Sequence, residues 1–200
     1  MAPTTEDVVR RAARWVDEGR RLDLVALAAE MGISRATLHR RVGNREMLLG
    51  RALWYTTERA MAALGAEGGG AADAGGTGGA DGAGGAAASI AEFNRRVAAW
   101  PALRRLLDEE PITTVRVLTD PRGFFQPRIV AVVEHLLRRD RGAAGEPAVA
   151  RADQLAYALV RLSESFLYAD AIADRTPDVD TANALMTTLI DAWLASPPTE

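Results

Sequence analysis

The sequence predicts an all-α fold in which an N-terminal three-helix domain precedes a C-terminal helical bundle. Apolar residues recur at spacings of three and four along most of the chain, the period of one helix face. Strand-like alternation is scarce, and Ala, Leu, Val and Arg dominate the composition. Glycines and prolines divide the pattern into segments, and 200 residues allow one ordinary domain or two small ones.

The first predicted helix runs from about Glu6 to Gly19. Thr5 is placed to cap it, and acidic residues stand in its first turn, where the helix dipole favours them. Val8 and Trp15 belong to an apolar face that we expect to pack on the next two helices. Its arginines are expected to be solvated, except near the start of the helix.

Residues 22–49 have the pattern of a helix-turn-helix. A short apolar helix ends at Gly32, because glycine enters the left-handed backbone region without steric cost. Ser34 then stands where a helix N-cap belongs, since its hydroxyl can accept an unpaired backbone N–H. Gly43 ends this second short helix, and Asn44 caps a third one.

The second helix of this motif, roughly Arg35 to Val42, has one thin apolar stripe. Leu38 and Val42 are four residues apart, so they share a face and can pack on the preceding helix. The rest of its surface is polar and rich in arginine: Arg35, Thr37, His39, Arg40 and Arg41. Arginine can bond guanine O6 and N7 in a fork, and hydroxyls can hold phosphates, so such a helix fits a major groove.

This stretch resembles the DNA-binding domain of TetR-family transcriptional regulators over about the first quarter of the chain. The matching residues are Leu24-Val25-Ala26-Leu27-Ala28, Met31-Gly32-Ile33-Ser34, Thr37-Leu38, Gly43, Arg45-Glu46 and Leu48-Leu49. His39 replaces the tyrosine usual in the family, and Val42 replaces the usual phenylalanine. The run RRVGNREMLLGRALW also resembles the TetR branch that controls quorum-signal lactone degradation, which makes an acyl lactone a candidate effector.

The resemblance implies a homodimer that binds a double-stranded DNA operator and is released, as a repressor, by a small apolar or amphipathic effector. Residues 1–46 would form the DNA-binding domain, and residues 47–200 the ligand-binding and dimerisation domain. The last two long helices would pair with those of a second copy. The expected DNA-binding residues are Ser34, Arg35, Ala36, Thr37, His39, Arg40 and Arg45. Of these, Arg35, Arg40 and Ala36 would meet bases, and the others would meet phosphates.

Residues 65–88 interrupt the helical pattern, with 11 glycines in 24 positions and no large apolar residue. We expect a flexible Gly/Ala-rich loop there, because the segment cannot bury enough surface to offset the entropy of ordering. The helix that begins at Asn44 should end near Leu64. Order should return at Ser89, which is placed as an N-cap. Later helices are expected at about 127–141, 147–172 and 178–195.

Prolines at 101, 111, 121 and 127 divide part of the body into short helices at changing angles, an arrangement that tends to enclose a cavity. The expected ligand-binding residues are Trp100, Phe124, Phe125, His135, Tyr157 and Phe166. Trp54 either lines the floor of this cavity or packs in the core. Glu164 is either a polar point of the pocket or a solvent-facing residue.

Charge is uneven along the chain: residues 1–60 hold 11 arginines against 8 acidic residues, and the remainder holds 13 against 19. A basic front end suits a protein that presents one end to DNA, although a chance fluctuation of this size is the alternative.

Other function classes have little support in the sequence. The chain has no cysteine, only two histidines, and no phosphate loop, dinucleotide fingerprint or nucleophile elbow. We therefore expect no catalytic residue, no metal site and no cofactor. Without a signal peptide or a membrane span, a cytoplasmic protein is expected. The alternative function is a helical ligand-binding or interaction protein with a vestigial helix-turn-helix.

Overall fold

The computed structural model describes residues 3–69, 85–143, 151–169, 172–173 and 175–195. Over these residues it contains helices and no strand, which confirms the predicted all-α fold. The chain divides into two compact units, Met1–Ala66 with Pro101–Pro127, and Glu67–Trp100 with Arg128–Glu200.

Many helix boundaries lie at or near the glycines and prolines that divide the sequence into segments. In chain order they are α1 (Thr5–Asp17), α2 (Leu24–Glu30), α3 (Arg35–Val42), α4 (Arg45–Gly69), α5 (Gly85–Ala99), α6 (Pro101–Glu109), α7 (Pro111–Thr119), α8 (Gln126–Ala143), α9 (Ala152–Glu164), a π-helical turn (Ser165–Ala169) and α10 (Val179–Ala195). Pro101 and Pro111 are the first residues of α6 and α7, since the fixed backbone angle of proline suits a first turn.

In the first unit, α3 packs against both α1 and α2. Val8 and Trp15 of α1 are buried, as are Leu38 and Val42 of α3, so the predicted apolar faces are confirmed. One cap is corrected: Thr4, and not Thr5, is the N-cap of α1. The hydroxyl of Thr4 accepts from the Asp7 backbone N–H at 3.1 Å, and the Asp7 carboxylate accepts from the Thr4 backbone N–H at 2.8 Å.

The turns of the helix-turn-helix form where the sequence places them. Gly32 has φ +64° and Gly43 has φ +76°, so both use the left-handed freedom of glycine. The Ser34 hydroxyl accepts from the Thr37 backbone N–H at 3.1 Å, and the Asn44 side chain accepts from the backbone of the next helix at 2.8 Å. The predicted stops and caps of this motif are confirmed.

The boundaries around the predicted 65–88 loop differ from expectation. Helix α4 continues through Gly69 and α5 begins at Gly85, while residues 70–84 lie outside the described part of the chain. The predicted N-cap role of Ser89 is wrong, because Ser89 lies inside α5 and its hydroxyl donates to the carbonyl of Gly85 at 2.7 Å.

The start of α5 is held by a side chain from another helix. The buried Asp140 carboxylate of α8 accepts from the Ala86 backbone N–H at 2.5 Å. A Cβ on Gly85 would lie 2.8 Å from Asp140 Oδ1, so a side chain at position 85 would force the carboxylate to shift. Glycine at this point therefore serves the close approach of a capping carboxylate.

Within the second unit, α10 packs against α5 and α9. Buried Asn94 of α5 donates to Asn183 Oδ1 of α10 at 2.9 Å, and Asn183 donates to the Ala91 carbonyl at 3.3 Å. These hydrogen bonds give both buried amides a partner and fix how α5 lies along α10.

The helix predicted at 147–172 is described as α9 followed by the π-helical turn, and residues 144–150 lie outside the description. Glu164 at this junction is buried and accepts from Arg161 at 2.6 Å, so the solvent-facing alternative for Glu164 is wrong. Burial, and then the charge of Glu164, raises the pKa of the Tyr168 hydroxyl well above its usual value.

Candidate nucleic-acid interface

Helix α3 has one buried side and one open side. Leu38 and Val42 are fully buried against the rest of the three-helix core. Of the residues predicted to bind DNA, Ser34, Arg35, Ala36, His39 and Arg40 are exposed, and Thr37 is half-buried. A helix has three to four residues per turn, so Ala36 and Arg40 lie on one face, beside Arg35 and His39. The open side of α3 is therefore short, polar and basic.

Ser34 and Thr37 form a capping pair at the start of α3. Ser34 accepts from the Thr37 backbone N–H and donates to Thr37 Oγ1 at 2.9 Å. The first backbone N–H groups of a helix have no partner within the helix, and they favour an anion at this end. This end of α3 can therefore hold a phosphate.

Arg35 and Arg40 make no hydrogen bond or ion pair with any residue that the structure describes. Near Arg35, the Asp23 carboxylate caps α2 by accepting from the backbone N–H groups of Val25 and Ala26 at 2.7 and 3.0 Å. These two hydrogen bonds are the main reason why the pKa of Asp23 lies below its usual value, with smaller effects from Arg21 and Arg35. Sequence reasoning missed this cap, although Asp before an apolar helix is a recognisable signal.

Arg45 has a different environment from the open residues of α3. Its Nη1 and Nη2 donate to the two carboxylate oxygens of Glu110 at 2.7 and 2.6 Å, and its Nε donates to the Leu22 carbonyl at 2.8 Å. The side chains of Arg45 and Glu110 are only 27% and 20% exposed. Arg45 was predicted as a phosphate contact, but in the structure its guanidinium is already engaged on both edges.

Other contacts also tie the start of α4 to α7. Arg116 of α7 donates to Glu46 at 2.8 Å, in an ion pair that is largely exposed. Gly50 of α4 lies so near its neighbours that an added Cβ would be 3.3 Å from Val117 and 3.5 Å from Phe124. The helix that follows α3 is therefore held closely against α7 and the turn after it.

Two of the predicted ligand-binding residues, Phe124 and Phe125, lie together in the first unit beside α4. The ring of Phe125 packs edge-on against Trp54, with centroids 6.0 Å apart. The guanidinium carbon of Arg51 lies 4.8 Å from the centroid of Phe124. Sequence reasoning did not single out Arg51, because nothing in its local pattern distinguishes it from a solvated arginine.

The other predicted ligand-binding residues belong to the second unit. Trp100 and Phe166 are half-buried there, whereas His135 of α8 and Tyr157 of α9 are exposed. These exposed side chains do not line an enclosed space within that unit.

Some large apolar side chains of α9 and α10 are exposed. Leu185 and Leu189 of α10 are 46% and 45% exposed, while Met186 and Ile190 on the adjacent face of the helix are buried. Tyr157 of α9 is also exposed. Leu185 and Leu189 lie one turn apart, so they form an exposed apolar stripe along α10.

The described ranges contain neither a metal site nor a membrane-spanning helix. No group of His, Asp and Glu side chains there is arranged to hold a metal ion. None of the helices found there is long and apolar enough to cross a membrane.

Comparison with known proteins gives two positive findings. Residues 81–191 match the family model of the tetracyclin repressor-like C-terminal domain. The fold is similar to that of the transcriptional repressor QsdR of R. erythropolis, from the TetR family, with a TM-score of 0.76 and 25% sequence identity. That likeness covers 98% of this chain and 96% of the QsdR chain. No curated protein matched the chain.

Proposed function

The chain belongs to the TetR family of ligand-responsive, DNA-binding transcriptional regulators, and we propose that it reads its operator with the open face of α3. One observation carries this proposal. Arg35 and Arg40 project from a short, capped helix whose other side is fully buried, and no described residue pairs with either of them. Two arginines kept exposed and unpaired on such a helix are suited to base edges in a major groove.

The residues of α3 divide by chemistry. Arg35 and Arg40, with Ala36 between them, are assigned to base edges, since arginine can form two bonds with guanine. Ser34, Thr37 and His39 are assigned to phosphates, where hydroxyl, imidazole and backbone N–H donors position a protein without reading sequence. We assign Arg45 to holding α4 against Glu110, because that bidentate pair would have to break before Arg45 reached a phosphate.

We further propose that the functional form is a homodimer, in keeping with the dimers in which TetR-family repressors bind operators. The open apolar residues Tyr157, Leu185 and Leu189 supply the pairing surface on α9 and α10. Two recognition helices would then enter successive major grooves about 34 Å apart, or a multiple of that distance.

The proposed regulation is repression that a small apolar or amphipathic effector relieves. The effector binds better to a conformation whose recognition helices are wrongly spaced for DNA. By linkage, DNA must then weaken effector binding by the same factor. TetR-family regulators typically act by binding and not by catalysis, so we assign no reaction to the chain. We place its action in the cytoplasm, where the DNA lies.

A gel-shift titration tests the DNA assignment, using the region upstream of the protein's own gene and a random duplex of equal length. Wild type should prefer the upstream fragment. If Arg40 reads a guanine, Arg40→Ala should reduce the difference in binding free energy between the two duplexes by about 1–3 kcal/mol. Arg104→Ala, at an exposed arginine of α6, is the matched control and should change nothing.

Two results of this titration would count against the proposal. If Arg40→Ala and Arg35→Ala bind the upstream fragment as wild type does, α3 does not read the operator. If wild type shows no preference between the two duplexes, the helical interaction protein with a vestigial helix-turn-helix becomes the better account.

A further inference from the structure

Arg51 of α4 carries a buried hydrogen-bond donor that no described residue satisfies. Its Nε is enclosed in the structure and has no hydrogen-bond partner among the described residues. No carboxylate of the described chain forms an ion pair with Arg51 either. Buried donors in folded proteins nearly always have a partner, so an exception needs a physical explanation.

Packing does not explain this donor. The ring of Phe124, 4.8 Å from the guanidinium carbon, attracts the positive charge but supplies no lone pair for an N–H. An apolar side chain of similar length would fill the same space without leaving a donor unpaired. Arginine at this position therefore costs stability unless something else supplies an acceptor.

The surroundings of Arg51 are apolar and aromatic. Trp54, one turn further along α4, packs edge-on against Phe125, which is buried. Gly50 brings the backbone of α4 close to Val117 and Phe124. Ligand sites typically combine such a lining with one or two polar groups that fix the orientation of the ligand.

We infer that Arg51 binds the oxygen acceptor of the effector, a carboxylate or a carbonyl group, while Phe124 and its neighbours contact the apolar part. Guanidinium offers only donors, so its partner must accept, and its charge favours an anionic or strongly polarised oxygen. This inference rests on the proposed ligand-responsive function and narrows the effector to an acceptor-headed amphiphile.

The position of Arg51 connects this ligand to the DNA-binding helices. Arg51 lies six residues after Arg45 on α4, about 9 Å along the helix axis. A ligand that binds Arg51 therefore contacts the same helix, α4, whose first turn is bonded to Glu110 through Arg45. Contacts to the ligand and to Glu110 would be made from one rigid element.

Isothermal titration calorimetry on the full chain tests the inference with three probes of equal chain length. Octanoate carries a carboxylate, methyl octanoate carries a neutral carbonyl, and octylammonium carries only donors. We expect wild type to bind octanoate, the ester or both, and to bind octylammonium more weakly by a factor of about ten or more. Which acceptor probe binds better decides between a carboxylate and a neutral carbonyl head.

The variant Arg51→Met should weaken binding of the preferred probe by a factor of about ten or more, as expected for losing a hydrogen bond to a charged group. Its midpoint of urea unfolding should be equal to or higher than that of wild type, which a purely structural arginine would not give. Arg59→Met is the matched control, since Arg59 lies on the same helix near the Tyr55 ring but is exposed. If Arg51→Met does not fold, Arg51→Lys replaces it, because lysine keeps the positive charge but has no Nε. We expect Arg51→Lys to bind methyl octanoate more weakly than wild type does.

Three results would overturn the inference: equal binding of the preferred probe by wild type and by the folded Arg51 variant, octylammonium bound as tightly as the acid, or no acceptor probe bound at all. Operator binding is measured separately, without any probe. A wild type that binds DNA but no acceptor probe refutes only the role of Arg51. A wild type that binds octanoate but no DNA refutes only the proposed DNA function.

Discussion

The ion pair between Arg45 and Glu110 makes a measurable prediction about how α4 is held. Glu110→Gln keeps the shape of the side chain but removes its charge, so position 110 offers Arg45 one neutral acceptor in place of a carboxylate. The pair has two bonds of 2.6 and 2.7 Å and side chains 27% and 20% exposed, so it lies between a surface pair and a buried one. Surface pairs contribute about 0–1 kcal/mol, and breaking a buried pair costs about 3–5 kcal/mol.

We therefore expect Glu110→Gln to lower the free energy of unfolding by about 1.5–3 kcal/mol, between these limits. Urea unfolding of Glu110→Gln, Arg45→Met and the double variant measures the coupling energy directly. Glu46→Gln is the matched control, because its pair with Arg116 is 58% and 41% exposed, and it should cost less than about 1 kcal/mol. If Glu110→Gln costs no more than Glu46→Gln, the reasoning from geometry and burial fails.

The same variants decide which role Arg45 has on DNA. If Arg45 holds α4, as we propose, Arg45→Met leaves the salt dependence of operator binding unchanged. If it contacts a phosphate, as the sequence predicted, Arg45→Met reduces the slope of log K against log salt by about 0.9. Fluorescence anisotropy between low and moderate salt distinguishes the two outcomes.

Four further predictions concern other parts of the chain. Asp140→Ala should lower the free energy of unfolding by about 1–2 kcal/mol, by removing the cap of α5. Gly85→Ala should destabilise wild type by crowding that carboxylate, yet be harmless in the Asp140→Ala background. Backbone hydrogen bonds lower the pKa of Asp23 in the folded state. The stability that Asp23 contributes is therefore complete above its ordinary pKa of about 4 and is lost as the pH falls through the folded value. Asp23→Ala should reduce the loss of stability between neutral and acid pH, measured by urea unfolding. Leu185→Glu should convert a dimer into monomers by light scattering, whereas Ala184→Glu, exposed on another side of α10, should not.

The sequence by itself determined the local structure of this protein. Gly32, Ser34, Gly43 and Asn44 set the ends of α2, α3 and α4 through contacts within about four residues, so their effect does not depend on the rest of the fold. The apolar period likewise determined which faces of α1 and α3 are buried. These local signals were enough to identify the family, because its DNA-binding motif is a continuous stretch.

Only the tertiary structure decided which distant side chains meet. Arg45 finds Glu110 after 65 residues, and α5 receives its cap from Asp140, 54 residues away. Sequence reasoning predicted neither of these contacts, and the cap that it placed at Ser89 is wrong. Hydrophobic periodicity shows which side of a helix faces inward, but it does not show which residues of other helices that side contacts. Charge pairs, caps from other helices and the unsatisfied donor of Arg51 all depend on that neighbour, so they emerge only when the helices pack.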